Sequence, residues 1–416
     1  MVRAGLGDGW QCIFANDIDD KKCESYLANW RDEVLRVGDV RALVCSDLPI
    51  GADLAWASFP CQDLSQAGAG AGLMGDRSGV FWPFWELLHS LARNDRPRLV
   101  VLENVPGAIT SHGGRDFQAI CSAFAGNGYK FGAVLLDAAQ FVPQSRTRLF
   151  FIAARAEAPL SPELHSFRPS SSLHSKSLVA AVKNLPANVH ENWLWWSMPN
   201  PPLRTKKFSD VLNADDGSLA WHSVSETARL LELMSPLHLQ KIAQARAAGS
   251  PVVGAIYKRR RCDGQGGRVQ RAEVRFDDLA GCLRTPAGGS SRQTIIVVDG
   301  DSIRTRILQP REAARLMGLD DEYILPSNYY EAYHLVGDGV VVPVVRYLAR
   351  YLLEPLLDAK STRQPDAGRR PLPASSNAQA DASFSQSLRG FAGKHARFSG
   401  TRGDEDRPPK RVTVPA

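Results

Sequence analysis

Between residues 10 and 155 short apolar runs recur at intervals, and this recurrence restricts the chain to few folds. The runs are Cys12-Ile13-Phe14-Ala15, Leu54-Ala55-Trp56-Ala57, Leu99-Val100-Val101-Leu102, Ala133-Val134-Leu135-Leu136 and Leu149-Phe150-Phe151-Ile152. Each has the length of a buried strand, and helix-like stretches such as Phe84 to Leu91 and Phe117 to Phe124 lie between several of them. Strand alternating with helix predicts an α/β fold: a parallel sheet covered on both faces.

A polar residue closes most of the runs: Asp17, then Pro60-Cys61, then Glu103-Asn104, then Asp137. Open α/β sheets bind ligands beyond the carboxyl ends of their strands. The reactive side chains are therefore expected at one edge of the sheet, although polar residues end most strands in any case.

The pattern changes at about residue 157. Up to about 300, prolines, serines and the isolated Trp193, Trp195 and Trp196 replace clean alternation. A helical stretch is expected from about Ser225 to Ala248. The cluster Lys258-Arg259-Arg260-Arg261 follows, then a loop with Gly264, Gly266 and Gly267. This reads as an inserted, irregular, basic domain. From about 306, Pro310 opens a short helix, and Gly337-Asp338-Gly339 leads into a helix through Leu353. The expected division is 1–156, 157–300, 301–358 and a disordered tail at 359–416, poor in large apolar residues.

With 44% hydrophobic and 23% charged residues, the 416-residue chain can bury a large core. It has no apolar run of membrane-spanning length and no apolar secretion signal after Met1, so a soluble cytoplasmic protein is expected. Seven scattered cysteines without a CxxC pair exclude a disulfide scaffold and predict no metal site. A formal charge of +6 permits a nucleic-acid partner without requiring one.

Three segments carry chemistry. In Ser58-Phe59-Pro60-Cys61-Gln62 a strand delivers a cysteine into a turn, followed by the glycine-rich stretch Gly68 to Gly75, expected to be mobile. The thiolate is the nucleophilic form, so such a site needs nearby positive charge; otherwise the cysteine is a small inert hydrophobe. In Leu102-Glu103-Asn104-Val105 a carboxyl group ends a strand, either facing water or held protonated in a pocket. In Pro143-Gln144-Ser145-Arg146-Thr147-Arg148 two arginines spaced for one side of an extended segment could hold a phosphate, a carboxylate or a base carbonyl, or could simply be solvated.

In this order and spacing the set resembles the C5 cytosine methyltransferase family over roughly residues 1–356. That family has Pro-Cys, Glu-Asn-Val and Gln-x-Arg-x-Arg, then a variable target-recognition domain, a Pro-Arg-Glu helix and a Gly-Asn-x-Val-type segment. The resemblance implies a Rossmann-like S-adenosylmethionine-dependent domain with an inserted target-recognition domain. It implies a Cys61 thiolate adding to C6 of cytosine, a protonated Glu103 bonding ring N3, and Arg146 and Arg148 orienting the base, with Arg146 at the O2 carbonyl. It further implies S-adenosylmethionine as cofactor, with Asp17 on the ribose, Ile18, Asp39 and Val40 around the adenine, and Pro60 and Asp338 nearby. The partner implied is double-stranded DNA with a flipped cytosine. Gln62, Lys258, Arg259, Arg260, Arg261, Arg284, Arg292 and Gln293 are expected to touch it. A monomer is expected, nucleoid-associated and either free-standing or paired with a restriction endonuclease.

Two departures stand out. The family opens with a strand and a Phe-x-Gly-x-Gly loop, and Met1 aligns just after that loop. A missing central strand would leave neighbouring backbone groups unpaired, so weak cofactor binding and slow turnover are expected. In addition, Asp338 stands where the family more usually has Asn. Two alternatives compete with an active DNA methyltransferase: a non-catalytic DNA-binding remnant and an RNA cytosine methyltransferase.

Overall fold

The computed structural model describes residues 1–31, 33–60, 73, 78–215, 217–262, 267–284, 292–359 and 408–415. The first part runs α1 (Val2–Leu6), β1 (Trp10–Asp17), α2 (Asp20–Trp30), β2 (Leu35–Val37), β3 (Leu54–Ser58), α3 (Phe81–Ser90), β4 (Leu99–Asn104), α4 (Arg115–Gly126), β5 (Tyr129–Asp137) and β6 (Thr147–Arg155). The five expected apolar runs all lie within strands. The short β2 escaped notice because two of its three residues are exposed and it has no apolar run.

Next come β7 (His165–Ser166), α5 (Lys176–Lys183), α6 (Ala187–His190), β8 (Trp195–Trp196), α7 (Val224–Glu232), α8 (Pro236–Arg246), β9 (Val252–Cys262), β10 (Arg268–Arg275), β11 (Thr294–Asp299) and β12 (Ser302–Ile307). The chain then returns through α9 (Pro310–Leu316), α10 (Tyr329–Asp338), α11 (Val342–Leu348) and α12 (Glu354–Asp358), and β13 (Lys410–Pro415) follows.

The main sheet has the order β2-β1-β13-β3-β4-β6-β5. Its strands are parallel except β6, which is antiparallel to both neighbours. The β5–β6 connection is too short for a crossover helix, so β6 must turn back. Strands β3 and β4 are buried on both faces, as their continuous apolar runs require, with Val100, Val101 and Leu102 fully covered. One core layer holds Trp56, Phe150 and Tyr333. The opposite layer holds Phe81, Trp85, Phe124 and Phe151.

Strand β13 corrects two expectations. It pairs in parallel with β1, from Trp10↔Lys410 to Asn16↔Pro415, and with β3 at Val412↔Leu54 and Thr413↔Ala55. The central place expected to be empty is therefore filled, and by residues expected to lie in a structureless tail. The physical reason is the alternation Arg411-Val412-Thr413-Val414: Val412 and Val414 are 1% and 3% exposed, pointing into the core. The rest of the expected tail, 360–407, lies outside the described residues.

The insertion is more regular than its composition implied. Strands β10-β9-β11-β12 form an antiparallel sheet around Ile256, Ala272, Val274 and Ile296. The single helix expected over Ser225–Ala248 is two, broken where Ser235 precedes Pro236, because a residue before proline is driven out of helical geometry. The Lys258–Arg261 cluster lies on β9. No helix among the described residues is long and apolar enough to cross a membrane.

Candidate active site

Three strand ends meet at the carboxyl edge of the sheet. Ser58 at the end of β3 is level with Glu103 on β4, and Glu103 is level with Phe150 on β6. Arg148, two positions from Phe150, reaches the same face. Its Nε lies 3.1 Å from a Glu103 carboxylate oxygen, both side chains being largely covered. Asn104 donates its amide to the Phe59 carbonyl at 3.2 Å, fixing the backbone two residues before Cys61. Cys61 and Gln62 themselves, and the Gly68–Gly75 stretch apart from Leu73, lie outside the described residues. Leu73 is buried and donates its backbone N–H to Asp116 at 3.1 Å.

Arg146 does not do what was expected of it. Its guanidinium turns inward and donates to the carbonyls of Leu283 (2.9 Å), Gly337 (3.0 Å) and Gly339 (2.8 Å) and to the Cys282 thiol at 3.3 Å. With those donors engaged and the side chain buried, Arg146 ties together the insertion, the C-terminal end of α10 and the main sheet; Arg148 is the arginine that meets Glu103. Burial, then the charge of Arg148, lowers the Arg146 pKa. Cys282 drew no attention in the sequence, because nothing local distinguishes it. Burial opposes ionisation of its thiol, but the two guanidiniums outweigh burial and hold it below the ordinary thiol range.

Gln144 is fully buried as a connector: its amide donates to Leu316 at 2.8 Å and accepts from the Leu283 N–H at 3.1 Å. Arg306 and Glu312 form a second connector, a buried two-pronged pair at 2.8 and 2.6 Å that fastens the last strand of the insertion to α9.

The other expected ligand contacts gather at the end of β1. Asp17 accepts from the Asp19 N–H; burial raises its pKa, while Lys22 and the Asp19 N–H oppose the rise. Ile18 beside it is 66% exposed, an unusual state for a large aliphatic side chain. The Asn16 amide donates to the carbonyls of Arg36 and Gly38, drawing the Gly38-Asp39-Val40 turn against the β1 end. Gly38 has φ +145 with open space on its Cβ side. Asp39 caps the following turn through the Arg41 N–H at 2.9 Å. Asp338 lies 2.9 Å from Lys22, which also faces Asp17, so its carboxylate is engaged at this edge. Pro60 is exposed at the end of β3.

Of the expected DNA contacts, Gln293 is not available. It is buried, accepts from the Gly281 N–H at 3.2 Å and donates to the Ile256 carbonyl at 3.2 Å. Arg292 stacks at 5.4 Å from the Tyr329 ring centre, and Arg284 is exposed. The strand alternation divides the β9 cluster. Arg259 and Arg261 face Glu273 of β10 at 3.6 and 2.5 Å. Lys258 and Arg260 point to the other face, beside Gln270 and Arg268.

A family model described as C-5 cytosine-specific DNA methylase matches residues 2–354. The chain belongs to this family. This methylase is 24% identical over 349 residues to the Type II methyltransferase M.MspI of Moraxella sp, covering 83% of this chain and 66% of that protein. It is 26% identical over 358 residues to the Type II methyltransferase M.NlaX of Neisseria lactamica, covering 86% of this chain and 93% of that one. Among solved structures, the Dnmt2 methyltransferase of S. pombe superposes with a TM-score of 0.50 at 18% identity, covering 83% of the methylase and 91% of its own chain. The methyltransferase EhMeth of Entamoeba histolytica gives 0.54 at 14% identity, covering 82% and 90%. Both likenesses concern the fold.

Proposed function

We propose that this chain transfers a methyl group to C5 of cytosine in DNA through a covalent adduct at Cys61. The observation that carries the reading is the Arg148–Glu103 pair, set on adjacent strands beside the backbone that leads into Cys61. Cytosine is a poor nucleophile at C5. Addition of the Cys61 thiolate to C6 opens the C5–C6 double bond and places electron density on C5. Glu103 brings a proton to ring N3 as electron density builds on the ring, and Arg148 holds Glu103 in place and reaches the neighbouring base carbonyl. After methylation the C5 proton leaves to a base, the double bond reforms and the thiolate departs. The target base must leave the duplex for this, at a cost of a few kcal/mol.

S-adenosylmethionine supplies the electrophilic methyl group when bound. The residues at the end of β1 suit its nucleoside end: a half-buried carboxylate at Asp17 for ribose hydroxyls, the exposed Ile18 for an apolar contact with adenine, and the Gly38–Val40 turn with Asp39 beside it. The β9–β10 ribbon would meet duplex DNA with the face that carries Lys258, Arg260, Arg268 and Gln270, since a two-stranded ribbon fits a major groove. On this reading the enzyme acts as a monomer on nucleoid DNA, and the Type II relatives point to a companion restriction endonuclease.

A duplex carrying 5-fluorocytosine tests the mechanism, because fluorine cannot leave C5 as a proton does. A denaturation-resistant adduct that maps to Cys61 and is lost in Cys61→Ser is expected. Methyl transfer without any adduct, or normal turnover by Cys61→Ser, would refute it. An equal adduct on an RNA substrate would move the assignment to RNA.

A further inference from the structure

We infer that β13, which follows the return helices along the chain, serves as the strand that opens the cofactor-binding βαβ unit of this methylase. The strand is required for the cofactor crevice. The inference rests on the proposed cofactor site and names the segment that builds it.

Four observations meet here. First, β13 lies between β1 and β3, parallel to both, so β13, α1 and β1 form in space a strand–helix–strand unit whose parts stand in a different order along the sequence. Helix α1 leads through Gly7 into β1, and its Leu6 shares the core layer of Val412 and Val414. Second, the carboxyl end of β13 is level with Asn16, one residue before Asp17. The strand therefore ends at the edge where Asp17, Gly38 and the β3 end converge, which is where such sheets bind nucleotides.

Third, the strand is held by specific contacts and not by backbone pairing alone. The Arg411 N–H donates to the Asp53 carboxylate at 2.9 Å, and that carboxylate also meets Arg98 at 3.2 Å. The Arg411 carbonyl accepts from the Asp53 N–H at 2.8 Å, and the Lys410 N–H donates to the Gly9 carbonyl at 3.1 Å. Lys410 also pairs with Asp358 at the end of α12, at 3.5 Å. Fourth, β1 adapts to this partner: its register with β13 shifts between Cys12 and Phe14, a bulge that leaves Ile13 unpaired. A random tail segment laid on an exposed edge would have none of these anchors. Without β13, β1 and β3 would each present an unpaired edge in the middle of the sheet.

Two sets of variants test this. The first compares the full chain, a chain lacking 408–416, and a chain ending at 359 in which 408–415 precede Met1 through a short glycine-rich bridge. Amide exchange of β1 and β3, and calorimetric affinity for S-adenosylmethionine, are read on all three. The shortened chain should lose at least tenfold in affinity and most of the exchange protection of Trp10–Asp17 and Leu54–Ser58, and the rearranged chain should recover both. Unchanged protection and affinity in the shortened chain would overturn the inference.

The second set replaces Gln11 and Arg411, exposed register partners on adjacent strands, by cysteine in the full chain. Neighbouring strands lie about 4.8 Å apart, within disulfide reach. An intramolecular cross-link above the background of the unsubstituted chain, with affinity retained, supports the placement even if the shortened chain fails to fold. No cross-link, or one formed only between two copies, overturns it. If the full chain binds no S-adenosylmethionine while protection still depends on 408–416, the strand assignment stands and the cofactor reading falls.

Discussion

Arg148 on β6 holds the carboxylate of Glu103 on the adjacent antiparallel strand β4, Nε to oxygen 3.1 Å, where both strands end beside the backbone leading to Cys61. Neither residue is near the other in sequence, and the sheet makes them neighbours. Glu103→Gln keeps the shape and removes the acid, so single-turnover methyl transfer should slow by about 10²–10⁴, the range for a lost acid–base group. Arg148→Ala should slow it by at least tenfold. DNA affinity in a gel-shift titration should hardly change in either. A matching loss of affinity would place the pair in binding and not in catalysis.

Arg146 should behave differently from Arg148 two residues away. Arg146→Lys leaves buried carbonyls among Leu283, Gly337 and Gly339 without a donor, each worth about 1–3 kcal/mol. Denaturant unfolding should show that loss as a lowered midpoint, while methyl transfer per folded molecule falls less than in Arg148→Ala. An unchanged midpoint would contradict the connector role of Arg146.

The Arg306–Glu312 pair is closed from water at the junction of β12 and α9. Glu312 also accepts from the backbone N–H groups of Asn213 and Gln309. Glu312→Gln strands the buried guanidinium charge, and removing one member of a buried pair costs about 3–5 kcal/mol. A lowered melting temperature with unaltered chemistry per folded molecule is expected. A variant of wild-type stability would show that the junction is solvated.

Cofactor affinity should depend on pH through Asp17. Burial raises the carboxyl pKa, so the acceptor form is complete above that raised value and is lost as pH falls through it. Affinity for S-adenosylmethionine should therefore weaken on acidification earlier than an ordinary aspartate would allow. Asp17→Asn should bind weakly and flatly across the same range. A wild-type profile that is flat throughout would remove Asp17 from the site.

The sequence by itself determined the α/β class, because apolar runs of strand length alternate with helix-like stretches and polar residues close most of the runs. The family resemblance was legible too, because the order of Cys61, Glu103 and the Gln144–Arg148 segment is one-dimensional information. Tertiary structure decided the rest. Arg146 and Arg148 have the same chemistry and the same strand face in sequence. Only the arrival of the Gly337–Gly339 carbonyls and Leu283 from distant segments claims one guanidinium and leaves the other to Glu103. Gln293 read as a surface side chain until packing against Gly281 and Ile256 enclosed it. Strand β13 is the clearest case. Its six residues carry a readable alternation, but strand pairing depends on what lies alongside in space. The segments alongside, β1 and β3, lie hundreds of residues away, so only the folded sheet shows that the strand belongs at its centre.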